Sequence, residues 1–417
     1  MPDQDTVLII GGGLAGLSCA RALEARGVPY RILEGSDGLG GRVRTDHVDG
    51  FQIDRGFQVL LTAYPEAQSQ LDMDALDMRS FYPGARVHRD GRVHRLADPL
   101  RHPIDGVKSL FAGIGSTRDK LRMLSMRNRS KSGTLDELAT RPETTAAAVF
   151  EELRFSPTMR DAFLKPWLGG AFLERSMRTS SRWLDYVFRM FSDGDTAVPA
   201  AGMGAIPAQL AAGLDTDAIQ LNTRVRAIDA DGVHLESGET LTARDVVVAV
   251  EGPAAARLLG GKVADPGSRE SVTLSFAAEK DPVGEAILSL DGDGTGPVNH
   301  LAVMSAVAPT YAPSGAALIS AGVVEDDGTP DDALECGARD QLRGWYGAAV
   351  NDWRLLRIDR IPHALPDSWA PPPADALPDG MHACGDWCES PSIQGAMKSG
   401  RLTGESIAAT RGEAVAV

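Results

Sequence analysis

TVLIIGGGLAGLSCARALEAR, Thr6 to Arg26, with YRIL at Tyr30 to Leu33, is the stretch that decides the fold. Thr6 to Ile10 is a short, β-rich apolar run that stops at Gly11. Leu17, Ala20 and Leu23 then recur at helical spacing, and Gly27 ends that helix. Tyr30 to Leu33 reads as a second strand, so the first 34 residues form one βαβ unit. Between strand and helix, Gly11, Gly13 and Gly16 spell G-x-G-x-x-G. The first glycine permits the tight turn, the second lets a pyrophosphate approach the backbone, and the third lets helix and strand pack closely. Phosphates placed there sit on the positive end of the helix, beside Leu14 and Ala15. Such triplets also occur in plain glycine-rich turns; the strand before and the helix after favour the dinucleotide reading.

Glu34 ends the second strand, where a carboxylate accepts hydrogen bonds from the hydroxyls of an adenosine ribose and repels a 2′-phosphate. NADP is therefore disfavoured, and the residues alone leave NAD and FAD open. A solvated strand-end glutamate is the plainer alternative.

The 417-residue length suggests two domains, and 43% hydrophobic with 24% charged residues suits a globular protein with a sizeable core. A net charge of −15 argues against general nucleic-acid binding, because a phosphate backbone is repelled by most of such a surface. Cys19, Cys336, Cys384 and Cys388 are too sparse for a disulfide framework, and MPDQD lacks the positive charge of a signal peptide. A cytoplasmic protein without a transmembrane helix is the expectation.

Further along, GARVHRDGRVHRL reads as a hairpin turned at Asp90-Gly91, and residues 104 to 190 are mostly helical. Residues 219 to 250 return to strands, with DVVVAV buried; VTLSFAA and AALISAGVV are further strands, and Leu334 to Val350 is a helix.

GLGGRVRT, Gly38 to Thr45, follows Glu34 where a plain NAD fold would continue into another helix and strand. This combination resembles the flavin amine oxidase and phytoene desaturase superfamily, which also includes protoporphyrinogen oxidases. The resemblance implies that Gly40, Gly41 and Arg42 run along an FAD, with Arg42 neutralising the pyrophosphate. It extends to GFQIDRGFQVL, implying that Asp54 and Gly56 reach toward the flavin, and to LNTRVRAI, implying that Val225 lies against the adenine.

At the other end, HACGDWCESPSIQGAMKSG places Gly385-Asp386 where the family's carboxylate bonds the ribityl chain. The resemblance implies that Ser392, Ile393, Gln394 and Ala396 open the family's closing helix, whose positive end would face the pyrimidine side of the ring and favour the reduced, anionic flavin. Cys384 and Cys388 lack the partners of a zinc set, so no metal is expected; a buried core residue is the reading for Cys384 and a bystander near the flavin for Cys388. The part corresponding to the covalent-flavin cysteine of monoamine oxidases, Leu355 to Trp369, holds no cysteine, which implies noncovalent FAD. His363 and Trp387 are candidates for the substrate side, with a structural histidine as the alternative.

The fold class implied is α/β, or α+β in two domains: a Rossmann-like FAD domain over 1–60, 196–262 and 352–417, interrupted by a substrate domain of mixed sheet and helices over 61–195 and 263–351. The leading functional expectation is hydride transfer from an apolar small molecule to FAD, desaturase-like on an isoprenoid or lipid. The alternatives are an amine oxidase using oxygen, a renalase-like oxidase of nicotinamide isomers, and a non-enzymatic prenyl-protein binder like the GDP-dissociation inhibitors. Residues 101 to 131 carry a local excess of six positive charges, with Leu110, Phe111, Ile114, Leu121 and Leu124 near helical spacing. A peripheral membrane contact and a solvated helical face are both open for that segment.

Overall fold

The computed structural model describes residues 5–109, 112–373 and 375–415; Leu110 and Phe111 lie outside the described residues. Strand Val7–Ile10 is buried at all four positions, as suits a parallel strand covered on both faces. It is flanked by Tyr30–Leu33 and Val246–Val248, with Ile219–Gln220 and Met381–Ala383 at the edges, and all four pairings are parallel. The βαβ unit and the buried strand within DVVVAV are therefore as the sequence predicts. Helix Leu14–Glu24 follows the glycine turn and packs lengthwise on the C-terminal helix Ile393–Val415. Gly400 and Gly404 permit that approach: a Cβ would stand 2.0 Å from the Ala15 carbonyl oxygen at Gly400 and 2.6 Å from that of Cys19 at Gly404. The two ends of the chain thus meet along a seam of bare backbone.

The second large layer is a seven-stranded sheet in the order Arg354–Leu365, Arg269–Ala278, Ala317–Val324, Val298–Val303, Leu288–Asp291, Gly84–Arg89 and Arg92–Ala97. Its hairpin turns at Asp90 and Gly91, with φ of 51° and 67°, as the Asp-Gly pair predicts. Alternation along Arg269–Ala278 sorts the faces: Val272, Leu274 and Phe276 pack with Leu334, Ala338 and Leu342 of helix Asp331–Tyr346. Ser271, Thr273 and Ser275 point the other way. The loop after strand Phe51–Asp54 is tied to that second face, where Phe57 N–H donates to Thr273 Oγ1 at 3.0 Å. Helix Lys165–Phe172 packs on strands Leu288–Asp291, Val298–Val303 and Ala317–Val324, and helices Thr117–Lys131 and Ser181–Asp193 pack on each other. Strand Arg354–Leu365, counted by the sequence division with the dinucleotide part, pairs along its length with Arg269–Ala278.

Candidate active site

Between the parallel sheet, the seven-stranded sheet and the helices lies a cavity of about 1000 Å³, and the glycine turn forms one end of it. At Gly11, φ is +106° and a Cβ would stand 2.7 Å from the Ala249 carbonyl oxygen; at Gly16 it would stand 2.0 Å from that of Gly11. Gly13 differs, for a Cβ there would meet nothing nearer than Gly41 Cα at 4.0 Å. The space in front of Gly13 belongs to the cavity, whereas Gly16 does not line it and serves packing. Helix Leu14–Glu24 has no side-chain cap and no acidic residue in its first turn, so its positive end is open toward the cavity that Leu14 and Ala15 line.

Glu34 is buried against this turn. One carboxylate oxygen accepts from Gly12 N–H and the other from Ser36 N–H, each at 2.7 Å. Each oxygen keeps acceptor capacity, and Glu34 lines the cavity. Gly40 N–H donates to the Gly12 carbonyl at 2.8 Å, pinning the second glycine loop to the first, and Gly40 and Gly41 take φ of 110° and 60°.

Arg42 and Asp386, 344 residues apart, form a two-pronged ion pair with both N···O distances at 2.8 Å. The Asp386 side chain is 5% exposed, and a carboxylate that deep requires such a partner. The sequence assigned the two residues to different parts of the cofactor; the fold couples them directly. Arg42 also donates to the Ala364 carbonyl at 2.8 Å, and Gln58 Nε2 donates to the Arg42 carbonyl at 2.8 Å. Gly56, Val225, Gly385, Ser392, Ile393 and Ala396 line the cavity as well.

Four of the expected residues stand elsewhere. Asp54 lies behind Gly56, where its carboxylate accepts from Thr45 Oγ1 at 2.5 Å, Met203 N–H at 2.9 Å and Tyr311 O–H at 2.8 Å. Burial pushes its carboxyl up to about 6 against the opposing pull of those three bonds. Gln394 turns away to accept from Glu66 N–H at 2.9 Å. His363 is exposed and its Nδ1 meets Ser268 Oγ at 2.8 Å; only its carbonyl turns inward, to Arg42. Trp387 is buried with Leu8, Ile10 and Val248 and donates through Nε1 to the Val250 carbonyl at 3.0 Å. Neither of these two substrate-side candidates lines the cavity: one faces solvent and the other is core.

The remaining wall is aromatic. Phe163 stacks on Trp167 with ring centroids 5.4 Å apart, Phe188 and Phe191 flank Trp167, and Phe57, Phe81 and Trp183 complete it. The sequence signal for this wall is FLKPWLGGAF and WLDYVFRMF, aromatics at helical spacing inside segments whose pattern otherwise looks like ordinary core. Asp98 lines this section too, and it is held by Arg127 at 3.3 Å and Arg101 at 3.8 Å. Much of the basic run is likewise paired: Arg122 with Asp119, Arg129 with Asp185 and Lys131 with Asp193.

Cys384 and Cys388 are buried free thiols, both pushed up by desolvation. Among the described residues no group of three or more His, Cys, Asp or Glu is arranged to hold a metal ion, and no helix is long and apolar enough to cross a membrane.

The family model for flavin containing amine oxidoreductases matches residues 14–408, a span that starts at the first residue of the helix after the glycine turn and takes in Glu34, the Arg42–Asp386 pair and the start of the last helix. The chain belongs to this family. Members similar to it include coproporphyrinogen III oxidase of Propionibacterium freudenreichii subsp. freudenreichii, 24% identical over 82% of this chain and 77% of that protein. Protoporphyrinogen oxidase 2 of Arabidopsis thaliana is 25% identical over 39% of this chain, and the match spans 32% of that protein's length. The solved structure of an oxidoreductase from Methanosarcina mazei superposes with a TM-score of 0.72 over 95% of this chain and 99% of that one, at 16% identity, a likeness of fold.

As a member of this family the chain is an FAD-dependent oxidoreductase. Its own residues fit that cofactor: a half-satisfied acidic acceptor at Glu34, an uncapped helix end, and a cradle at Gly13 that a Cβ would fill.

Proposed function

We propose that this oxidoreductase removes a hydride from an apolar, carbon-rich small molecule, desaturase-like, with FAD held noncovalently. The observation that carries the reading is the aromatic wall around Trp167, in which the lining carboxylate, Asp98, is already engaged by Arg127 and Arg101. An ammonium substrate would find no spare counter-charge beside it there, whereas a carbon skeleton is matched by rings and thioethers such as Met123 and Met159. When bound, the flavin accepts two electrons as a hydride from a substrate carbon. The protein's share is to hold and to dry. The aromatic wall excludes water and orients the carbon skeleton, and helix Ile393–Val415 begins at the cavity without an acidic residue in its first turn.

In this reading Gly11, Gly13, Leu14, Ala15 and Glu34 hold the adenosine and pyrophosphate half. Gly40, Gly41, Gly56, Val225, Gly385, Asp386, Ser392, Ile393 and Ala396 hold the remainder, and Arg42 acts chiefly through Asp386. The domain division follows the sequence-based boundaries, except that strand Arg354–Leu365, the edge of the seven-stranded sheet, goes with the substrate part. The test is anaerobic bleaching of the flavin by isoprenoid polyenes, primary amines and reduced nicotinamide isomers. Faster bleaching by the polyenes is the expected result, and reduction by amines alone refutes the apolar reading.

A membrane surface as the source of substrate has one specific observation behind it. Leu100, Ile104, Leu121 and Leu124 are 59%, 76%, 61% and 39% exposed, and three of them line the cavity. Because so many of the neighbouring cations are paired, the apolar residues would carry most of such an attachment. Flotation with neutral and acidic vesicles tests it, and a protein that stays at the bottom of both gradients removes the idea.

A further inference from the structure

His300 lies on strand Val298–Val303, is 4% exposed and lines the cavity. Its tautomer follows from its neighbours. Asn299 Nδ2 donates to the Pro166 carbonyl at 2.8 Å, which fixes the amide, and stands 3.1 Å from His300 Nδ1, to which it offers its second hydrogen. Nδ1 is therefore the acceptor and the ring proton sits on Nε2. Nε2 is buried and has no hydrogen-bond partner. Burial also pushes the imidazole down to about 4, so the ring is neutral at physiological pH and that N–H persists.

The ring occupies a slot made by missing side chains. A Cβ at Gly170 would stand 3.0 Å from Nδ1, and one at Gly322 would stand 2.2 Å from Nε2. Phe57, which also lines the cavity, closes on the ring with centroids 4.6 Å apart. Three hydroxyls that line the cavity are committed: Tyr82 O–H to Asp105, Ser109 O–H to the Asp105 carbonyl and Ser192 O–H to the Phe188 carbonyl. A buried donor left without an acceptor costs free energy, and a cavity wall is where an incoming molecule can make that bond good.

We propose that His300 Nε2–H, turning within its glycine slot, is the donor by which the cavity selects an apolar substrate that carries a neutral oxygen acceptor, a carbonyl or hydroxyl. Asn299 is the positioning residue that holds the tautomer. The proposal rests on the apolar-substrate reading and sharpens it: a plain hydrocarbon leaves the donor unmet, and an ammonium has no lone pair to offer.

The test uses the flavin-loaded protein and two probes of one chain length, 2-undecanone and 1-undecene, with dissociation constants from calorimetry. The wild type is expected to prefer the ketone by about tenfold, His300→Phe to lose that preference, and His300→Gln, which restores an N–H, to recover most of it. Infrared difference spectra of carbonyl-labelled 2-undecanone supply a reading independent of any variant, with the bound carbonyl band expected at lower frequency than in an alkane solvent. Equal binding of both probes by the wild type, an unshifted carbonyl band, or a ketone preference that survives in His300→Phe each overturns the His300 proposal alone. If neither probe binds the wild type, the apolar reading falls and this proposal falls with it.

Discussion

Gly13→Ala separates what the glycine turn does for the fold from what it does for the cofactor. Gly13 has φ of −74° and ψ of −178°, a conformation open to any residue, and the nearest atom to an added Cβ is 4.0 Å away. Removing a glycine's freedom from the unfolded chain then stabilises the flavin-depleted protein by about 0.4–1 kcal/mol. The same methyl projects into the cavity where the pyrophosphate is expected, and forcing one carbon into a fitted contact costs about 1–3 kcal/mol. That corresponds to FAD binding weakened by about 5- to 150-fold. Gly16→Ala is the control, because its Cβ would sit 2.0 Å from the Gly11 carbonyl oxygen and the strand–helix packing must give way. Thermal melts of the flavin-depleted chain and FAD titrations followed by flavin fluorescence measure the two effects separately. A Gly13→Ala variant that binds FAD like the wild type, or that loses stability as Gly16→Ala does, would refute the assignment of the cradle.

Glu34→Gln removes a charged acceptor facing the cavity, so FAD affinity should fall about tenfold or more while the spectrum of the bound flavin stays the same. Arg42→Met strands the buried Asp386 carboxylate and should cost about 3 kcal/mol in urea melts, with the Arg42→Met, Asp386→Asn double variant regaining more than half. Asp54 supplies a pH dependence. Its folded carboxyl titrates near 6 against an ordinary 3.8, so the folded chain holds the proton longer than the unfolded one. That contribution is complete below 3.8 and is lost as pH rises through 6, a fall of about 3 kcal/mol. Asp54→Asn should therefore gain on the wild type between pH 4.5 and pH 7.5 in paired denaturation curves, and a difference that does not change with pH would count against the buried carboxyl.

Several features were legible before any tertiary contact was known, because they depend on local rules. The apolar run before Gly11, the glycine triplet, the Asp90-Gly91 turn and the acidic strand end at Glu34 are set by backbone geometry and by neighbours close in sequence. The candidate cofactor residues at both ends of the chain were found through their resemblance to a family, and most of them line one cavity.

The pairing of Arg42 with Asp386 was not legible, since nothing local tells an arginine which of two anions it will face. Asp54 and Trp387 looked like site residues for the same reason, and in each case burial and hydrogen-bond satisfaction decided otherwise. Gly400 and Gly404 read as ordinary helix glycines until the first helix was laid against them. The excess of positive charge over 101 to 131 was plain in the sequence, and the pairing of Arg129, Lys131 and Arg101 with Asp185, Asp193 and Asp195 became visible only with the folded chain. The sequence by itself determined the dinucleotide unit and its acidic acceptor, because those follow from short-range sterics and charge. Only the tertiary structure decided which side chains share the cavity and which of them, like His300, are left with a hydrogen bond to make, because that depends on partners hundreds of residues apart.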